Sequence, residues 1–365
     1  MKFSAAREAI LKPLQTVVGV VERRQTMPIL SNVMLVVKNG KLAVTATDLE
    51  VEMVAETEVD TTTGGEITVP GRKLHDICKA LPDGATLEFS LAGERLTVKA
   101  GRSRFVLSTL RAGDFPTIDE VAEQQTLKLE KAQLKRLIDK THFSMAQQDV
   151  RYYLNGLLLE TDGKKLRAVA TDGHRLALAE TVLGAAAARA EQLIVPRKGV
   201  LELNRLLDGD GEIELVLGKS HIRAKIDGIR LTSKLIDGRF PDYNRVIPTA
   251  PPNVMTADRD LLRQALQRTA ILSNEKYRGV RLELTENSVV LQANNPEQEE
   301  AIESLEIEYS GEPIEIGFNV NYLLDALAAV DGAQVSFGMT DANSSCLITD
   351  PAESATKFVV MPMRL

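Results

Sequence analysis

The feature that most constrains the fold of this chain is an internal repeat with a period of about 123 residues. Four short pairs recur in the same order at spacings of 121 to 126 residues: Asn32-Val33, Asn155-Gly156 and Arg278-Gly279; Thr47-Asp48, Thr171-Asp172 and Asn294-Asn295; Val69-Pro70, Val195-Pro196 and Ile316-Gly317; Phe115-Pro116, Phe240-Pro241 and, more loosely, Met361-Pro362. Units of this length are whole domains, since solenoid repeats have periods of roughly 20–50 residues. We therefore expect three copies of one domain, at residues 1–125, 126–252 and 253–365.

Each copy shows the same order of helices and strands. Helices are predicted at residues 7–22 and 72–80, 131–144 and 197–208, and 259–272 and 320–330. Pro13 predicts a kink or a late start in the first of them. Alternating apolar residues predict strands, including 41–46, 166–170, 212–217 and 221–226. The predicted fold class is α+β, with three tandem copies that each pack two helices on antiparallel sheets of about eight strands.

Composition restricts the class of protein and its compartment. Hydrophobic residues make up 44% and charged residues 26%, which is typical of a globular protein, and the absence of Trp predicts aliphatic cores. Two cysteines, Cys78 and Cys346, form no disulfide framework, which indicates a reducing compartment. The N-terminus has no signal-peptide pattern, and apolar stretches such as 182–188 are far shorter than a membrane span. We therefore expect a cytoplasmic protein with no membrane partner.

The net charge of −7 argues at first against a nucleic-acid partner. The six predicted helices, however, hold 15 Lys and Arg against 8 Asp and Glu, which leaves −14 for the remainder. If each copy turned the chain by about 60°, two chains would place twelve helices around a hole of roughly 28 Å, wide enough for duplex DNA. Basic helices would then face phosphates inside an acidic exterior. The alternative is that basic residues simply suit helix surfaces.

Long blocks in all three copies carry a family resemblance. They are MPILSN (27–32), TATDLE (45–50), QDVRYYLNG (148–156), VATDGHRL (169–176), VPRKGV (195–200), SKLIDGRFPDY (233–243), ILSNEKYRGVRL (271–282), ANNPEQEEA (293–301) and FVVMPMRL (358–365). Over its whole length the chain resembles the bacterial DNA polymerase III β subunits, the sliding clamps. The resemblance implies a head-to-tail homodimer, a six-domain ring around duplex DNA that confers processivity in chromosomal replication. It implies no catalytic activity, no cofactor and no metal.

The resemblance also implies three groups of site residues. DNA contacts are expected at Arg24, Arg72, Lys79, Gln148, Tyr152, Tyr153, Arg197 and Lys198. A pocket for partner peptides is expected at Thr171, Gly173, His174, Arg175, Leu176, Pro241, Arg245 and Val246, closed by Val360, Met361, Pro362, Met363, Arg364 and Leu365. The dimer contact is expected to join Arg102, Arg104, Phe105 and Leu107 of one subunit to Ile271, Leu272, Glu300 and Glu303 of the other. Of the adjacent tyrosines, one in the core and one on the surface is the commoner arrangement.

The partners implied are sequence-independent duplex DNA, a second copy of the chain, the replicative polymerase and the clamp loader. Other polymerases and repair factors would bind through short peptide motifs. Methionines give adaptable apolar surface, which suits a pocket shared by several partners. The alternative from the residues alone is that Met361 and Met363 complete the core of the last strand.

Three further sequence patterns are typical of a catalytic dyad, a phosphate-binding loop and a zinc site, but each lacks part of the required motif. Asp172 and His174 would serve a hydrolase or transferase as a dyad, but no nucleophile signature accompanies them. Residues 211–220 (GEIELVLGKS) imitate a phosphate-binding loop, yet six residues separate the glycines where four are required, and strand periodicity runs through them. His75 and Cys78 share a helix face, but two ligands do not make a zinc site.

Overall fold

The computed structural model describes residues 1–21, 27–118 and 123–364, with only the backbone described at 123 and 124. Arg24 and Leu365, two of the expected site residues, lie outside this part of the chain.

The helices and strands follow the three copies. The first copy contains β1 (Lys2–Ala6), α1 (Arg7–Val17), β2 (Asn32–Lys38), β3 (Lys41–Thr47), β4 (Val51–Glu58), β5 (Asp60–Thr63), β6 (Gly65–Pro70), α2 (Gly71–Ala80), β7 (Thr86–Ala92), β8 (Arg95–Ala100) and β9 (Ser103–Ser108). The second contains β10 (Glu123–Glu130), α3 (Lys131–Asp139), β11 (Gly156–Thr161), β12 (Lys165–Thr171), β13 (Arg175–Val182), β14 (Glu191–Pro196), α4 (Arg197–Arg205), β15 (Glu212–Gly218), β16 (His221–Ile226) and β17 (Ile229–Lys234). The third contains β18 (Asn253–Asp258), α5 (Arg259–Ala270), β19 (Gly279–Thr285), β20 (Ser288–Asn294), β21 (Glu300–Glu306), β22 (Ile314–Asn319), α6 (Val320–Ala329), β23 (Gln334–Met339), β24 (Cys346–Asp350) and β25 (Glu353–Val360).

All strand pairings between named strands are antiparallel, and two sheets cross copy boundaries. One eight-stranded sheet has the order β10-β15-β16-β17-β4-β3-β2-β6, so β17 of the second copy pairs with β4 of the first. The other has the order β14-β11-β12-β13-β25-β24-β23-β18, so β25 of the third copy pairs with β13 of the second. The remaining sheets are β5-β1-β7-β8-β9 and β21-β20-β19-β22. The expected α+β fold with three copies is confirmed.

These sheets lie in two compact units. One unit consists of Met1–Ala132 with Lys198–Leu235, and the other of Gln133–Arg197 with Ile236–Leu365. The middle copy therefore contributes strands to both units, each through its own shared sheet.

Amphipathic helices pack on these sheets. In α5, Leu262, Ala265, Leu266 and Thr269 are buried at helical spacing, in the core that also holds strands of the third copy. The carboxylate of Asp258 accepts a hydrogen bond from the backbone N–H of Leu261 (2.9 Å), which caps the first turn of α5.

The helix ends differ from the sequence expectation. The first helix ends at Val17 rather than near residue 22, and it runs from Arg7 through Pro13, so the expected late start is wrong. The third helix ends at Asp139, and a separate 3-10 turn covers His142–Ser144. Among the described residues, no helix is long and apolar enough to cross a membrane.

Candidate binding and assembly sites

The turn between β12 and β13 forms one wall of an apolar pocket. The carboxylate of Asp172 accepts hydrogen bonds from the backbone N–H groups of His174 (2.8 Å) and Arg175 (3.0 Å). The hydroxyl of Thr171 donates to the carbonyl of Arg175 at 2.6 Å. Gly173 has a φ of +88°, a conformation that residues with a side chain rarely adopt. Short local hydrogen bonds therefore fix this wall without help from a ligand.

A cavity of about 230 Å³ lies beside this turn. Its walls are Arg151, Tyr153, Leu154, Thr171, Gly173, Arg175, Leu176, Pro241, Asp242, Tyr243, Val246, Val359 and Met361. Seven of these were expected from the sequence. Arg151, Leu154, Asp242, Tyr243 and Val359 were missed, and Tyr153 was expected to contact DNA instead. The apolar periodicity of β25 marks Val359 as a sheet-packing residue.

Some of the residues expected in the pocket do not line this cavity. His174 and Arg245 are exposed, Val360 is buried in the core, and Pro362, Met363 and Arg364 do not line this cavity. Met361 is 42% exposed and follows the last residue of β25, so it does not complete the core of that strand. The alternative that treats Met361 as a core residue is therefore wrong.

A network of polar side chains holds Tyr243, which lines the pocket. The Tyr243 hydroxyl donates to Glu160 and accepts a hydrogen bond from Arg167 (3.1 Å). Arg167 also contacts Glu180 at 3.0 Å, and Glu160 accepts from Gln192 at 2.7 Å. Burial, and then the hydrogen bond to Glu160, raise the pKa of Tyr243 to about 12. The Tyr243 ring is thus held in place by charged partners while it lines an apolar cavity.

Arg175 ties the turn to the third copy. Its guanidinium lies 4.5 Å from the centre of the Tyr322 ring and 5.6 Å from that of Phe143. It pairs with Asp325 of α6 at 2.5 Å and with Asp172 at 3.2 Å. Two rings and two carboxylates therefore fix this side chain, as expected for a planar, permanently charged group.

Tyr152 and Tyr153 divide as a surface and a core residue. Tyr152 is 56% exposed and Gln148 is also exposed, whereas Tyr153 is partly buried and packs on the cluster that includes Leu158 and Val359. Arg151 holds this loop to the pocket turn, because it pairs with Asp149 at 2.8 Å and donates to the carbonyl of Asp172 at 3.2 Å. Tyr153 belongs to the pocket, and Tyr152 is the tyrosine open to a large ligand.

Two cations expected to contact DNA converge on the turn that follows α1. Arg72 donates to the carbonyl of Val21 at 2.5 Å, and Lys198 donates to that of Val20 at 3.2 Å. Lys198 also pairs with Asp48 at 2.5 Å. The positive charge of Lys198 is therefore partly neutralised within the chain.

Two other residues expected to contact DNA, Lys79 and Arg197, lie on helices α2 and α4. Lys79 is exposed on α2, and Arg197 is half-buried at the start of α4.

Ion pairs reduce the free positive charge of the helices. The six helices carry 14 basic and 6 acidic side chains, so the basic excess expected from the sequence holds. Several of these cations, however, pair with acids outside the helices: Arg7 with Asp83, Lys131 with Asp227, Arg136 with Glu353 and Arg268 with Glu303. A count of charges along the sequence therefore overstates the potential that the helices present.

Two edge strands of the described sheets lack the neighbour that their counterparts in the other copies have, in the β17–β4 and β25–β13 pairings. They are β9, at the end of the five-stranded sheet, and β21, at the end of the four-stranded sheet. Their exposed apolar side chains include Val106 and Ile302, which sequence reasoning missed. Unpaired edges with apolar side chains are sites of strand pairing with another chain.

The residues expected at the dimer contact lie on or near these edges. Arg102 precedes β9, which carries Arg104, Phe105 and Leu107. Ile271 is 74% exposed just after α5, and Leu272 follows it. Glu300 and Glu303 lie on β21, and Glu303 is already paired with Arg268 at 2.7 Å. Glu303 therefore has a partner before any second chain arrives.

The weaker chemical patterns resolve into structural roles. The Asp172 carboxylate serves the turn and Arg175, not the His174 ring. Residues 212–218 form strand β15, as the periodicity predicted. In the described ranges, no group of three or more His, Cys, Asp or Glu could hold a metal ion. Burial raises the pKa of the Cys78 thiol to about 12, so this thiol is unreactive.

Comparison with known proteins gives matches over the whole chain. Three models of the DNA polymerase III beta subunit match: the N-terminal domain at residues 1–119, the central domain at 128–242 and the C-terminal domain at 244–364. The beta sliding clamps of Pseudomonas aeruginosa and Escherichia coli K12 are 55% and 53% identical, with 100% of each chain covered. A crystal structure of the DNA polymerase III subunit beta from Pseudomonas aeruginosa matches with a TM-score of 0.98 at 54% identity, again over 100% of both chains. Caulobacter crescentus pol III beta matches with a TM-score of 0.96 at 43% identity, covering 100% of both chains.

Proposed function

The chain belongs to the DNA polymerase III β subunit family, and from this premise we propose that two copies of it join head to tail into a ring around duplex DNA. The protein is a sliding clamp of DNA replication, a non-catalytic subunit that confers processivity.

The observation that carries the proposal is the pattern of shared sheets. At the first junction, β4 of the first copy pairs with β17 of the second. At the second junction, β13 of the second copy pairs with β25 of the third, and each junction lies within an eight-stranded sheet. The third copy keeps β21 free and the first keeps β9 free, and these strands correspond to the two sides of such a junction. Joining β21 of one chain to β9 of another, twice, repeats the same contact and closes the assembly.

The two internal junctions have the same register. At the first junction the backbone N–H of Lys234 donates to the carbonyl of Glu50 (2.8 Å), and at the second that of Met361 donates to His174 (2.9 Å). Both hydrogen bonds lie at corresponding positions, beside the β3–β4 turn and the β12–β13 turn. A third junction built from the same repeat should therefore adopt the same register.

This register predicts which residues face each other between subunits. At the first junction Ala55 lies opposite Ile229, five residues beyond the hydrogen-bonded pair formed by Glu50 and Lys234. The repeat places Glu303 at the position of Ala55, and Ser103 at that of Ile229. Antiparallel pairs alternate, so Glu303 and Ser103 of the partner subunit form a pair without backbone hydrogen bonds, with Cα atoms about 4.5 Å apart.

Disulfide crosslinking tests this contact. The double variant Ser103→Cys with Glu303→Cys should form two disulfides per dimer under mild oxidation, because the expected Cα separation lies within disulfide range. Covalent dimer is then seen on a non-reducing gel. The native thiols do not interfere, since Cys78 and Cys346 are buried.

The control moves one cysteine to the other face of β9. Arg104→Cys with Glu303→Cys keeps the same strands but points one thiol away, so little crosslink is expected. Equal crosslinking of both variants would disprove the register. A monomeric mass for the wild-type chain at micromolar concentration would disprove the ring.

We further propose that duplex DNA is contacted through the cations beside the end of α1 and through the exposed Gln148 and Tyr152. The geometry of Arg72 supports this assignment, because its side chain is anchored at Val21 while the residue stays exposed. The cations among these contacts neutralise phosphates, and contacts to phosphates do not read the bases, as a sliding protein requires.

The apolar pocket is proposed as the docking site for short peptide segments of the polymerase, the clamp loader and other replication and repair factors. Leu176, Val359 and Met361 supply apolar walls, and Arg175 and Tyr243 are held rigidly around them. A rigid apolar cavity with few polar groups suits aliphatic or aromatic side chains. We place these interactions in the cytoplasm.

A further inference from the structure

The third copy contains a second cavity, of about 580 Å³. Its walls include Asn274, Arg281, Gln292, Asn294, Glu300 and Arg364. All of these residues belong to the third copy.

The internal repeat makes this cavity the counterpart of the apolar pocket. Corresponding positions differ by 123 residues, as for Asn155 and Arg278. The carbonyl of Asn155 accepts from the N–H of Arg197 (3.0 Å), and that of Arg278 accepts from the N–H of Val320 (2.8 Å). The same hydrogen bond thus recurs beside both cavities, at the start of the second helix of each copy.

The two cavities differ in chemistry at matched positions. Leu158 and Val169 face each other across β11 and β12 beneath the apolar pocket, and their counterparts Arg281 and Gln292 face each other across β19 and β20. The strand pairing also equates Leu176 with Glu300. The repeat therefore places a cavity at the corresponding position of the third copy and replaces its apolar floor with polar groups.

The C-terminal segment forms a wall of both cavities. Met361 lines the apolar pocket, whereas Met363 and Arg364 line the polar cavity. The N–H of Met363 donates to the carbonyl of Gly317 (2.8 Å), which fixes the segment along β22. An extended chain that crosses this segment from the apolar pocket therefore enters the polar cavity.

The charges of the polar cavity select the chemistry of its occupant. Arg281 and Arg364 are its cations, and Glu300 is its acid. Glu300 lies on β21, the strand that the proposed ring directs toward the next subunit. Arg281 pairs with Glu315 at 3.1 Å, but the two side chains are 40% and 58% exposed, so this pair is weak and exchangeable. Two arginines then remain for carboxylates.

We propose that the polar cavity binds acidic side chains of the partner segment that flanks the peptide held in the apolar pocket. This inference rests on the proposed function of that pocket. It makes each docking site bipartite, with an apolar half that supplies affinity and a charged half that distinguishes between partners.

Extended peptides test the inference. A panel of labelled, uncharged hexapeptides rich in aliphatic and aromatic residues, which suit the apolar pocket, is screened by fluorescence anisotropy, and the tightest binder becomes the core peptide. It is then extended at either end by three Glu or by three Ser. The Glu extension at one end should strengthen binding about fivefold over the Ser extension, and 0.5 M salt should remove the gain.

Variants assign the gain to the cavity. Arg281→Gln with Arg364→Gln should abolish the gain from Glu and leave the affinity of the core peptide unchanged. Glu315→Gln is the matched control, because it releases Arg281 and should increase the gain. A Glu extension without effect, or a gain that survives the double Arg variant, would overturn the inference. If no core peptide binds the wild type, the proposed pocket fails, and this inference fails with it.

Discussion

Replacing Ile302 with Ala tests the contact between β21 and β9 at a side chain that the single chain leaves in solvent. Ile302 is 58% exposed on the free edge. The substitution removes three carbon groups worth about 0.8 kcal/mol each when buried, which, scaled by that exposed fraction, gives about 1.4 kcal/mol per contact. A closed ring has two contacts and so loses about 2.8 kcal/mol, which raises the dimer dissociation constant about a hundredfold.

The assay is a dilution series analysed by sedimentation, in which the variant should dissociate at a concentration about a hundredfold higher than the wild type. Leu261→Ala is the matched control, because Leu261 is also 58% exposed in the third copy but lies in the first turn of α5. The reasoning is refuted if Ile302→Ala dissociates like the wild type, or if Leu261→Ala weakens the dimer equally.

Three further predictions concern the pocket and its support. Tyr243→Phe keeps the ring but loses the hydrogen bond to Glu160, so peptide affinity should fall about fivefold to tenfold, while Tyr309→Phe, remote from the pocket, should leave it unchanged. Deleting residues 361–365 removes Met361 from the wall; it should abolish peptide binding without changing the dimer mass, and retained affinity would place the pocket elsewhere. Burial raises the pKa of Glu180, but hydrogen bonds from cations outweigh it and hold the pKa below its ordinary value. The stability that Glu180 contributes is present above its unfolded-state pKa of about 4.3 and is lost as pH falls through the folded value, so the urea-unfolding difference from Glu180→Gln should shrink from about pH 6 to about pH 3. A difference independent of pH would contradict this assignment.

The internal repeat predicted much of the fold, because copies that share the same spaced residue pairs have the same order of helices and strands. Three copies, two helices in each and strands such as β3 and β15 follow from pair spacing and apolar periodicity. The merging of copies into shared sheets was not predictable, because periodicity identifies a strand but not its neighbour. The end of α1 was missed because Val18, Val20 and Val21 continue an apolar pattern after the helix has ended.

Some of the site residues could be identified from the sequence, and others could not. The turn at Thr171-Asp172 was identified, since its residue types carry their own hydrogen bonds. The ion pairs that neutralise Lys198 and Arg268 join residues far apart in sequence, so charge counting could not reveal them. Tyr243 was missed because its role depends on Glu160, 83 residues away.

The most direct test of the central claim is topological capture of DNA. The reduced Ser103→Cys, Glu303→Cys protein is mixed at low concentration with a closed circular plasmid, where subunits exchange, and is then oxidised to lock the rings. Locked rings should stay on the circle in 1 M salt and be released when one restriction cut makes it linear. Protein oxidised before the plasmid is added should not be captured. Release by salt alone, or retention after the cut, would contradict a ring that encircles DNA.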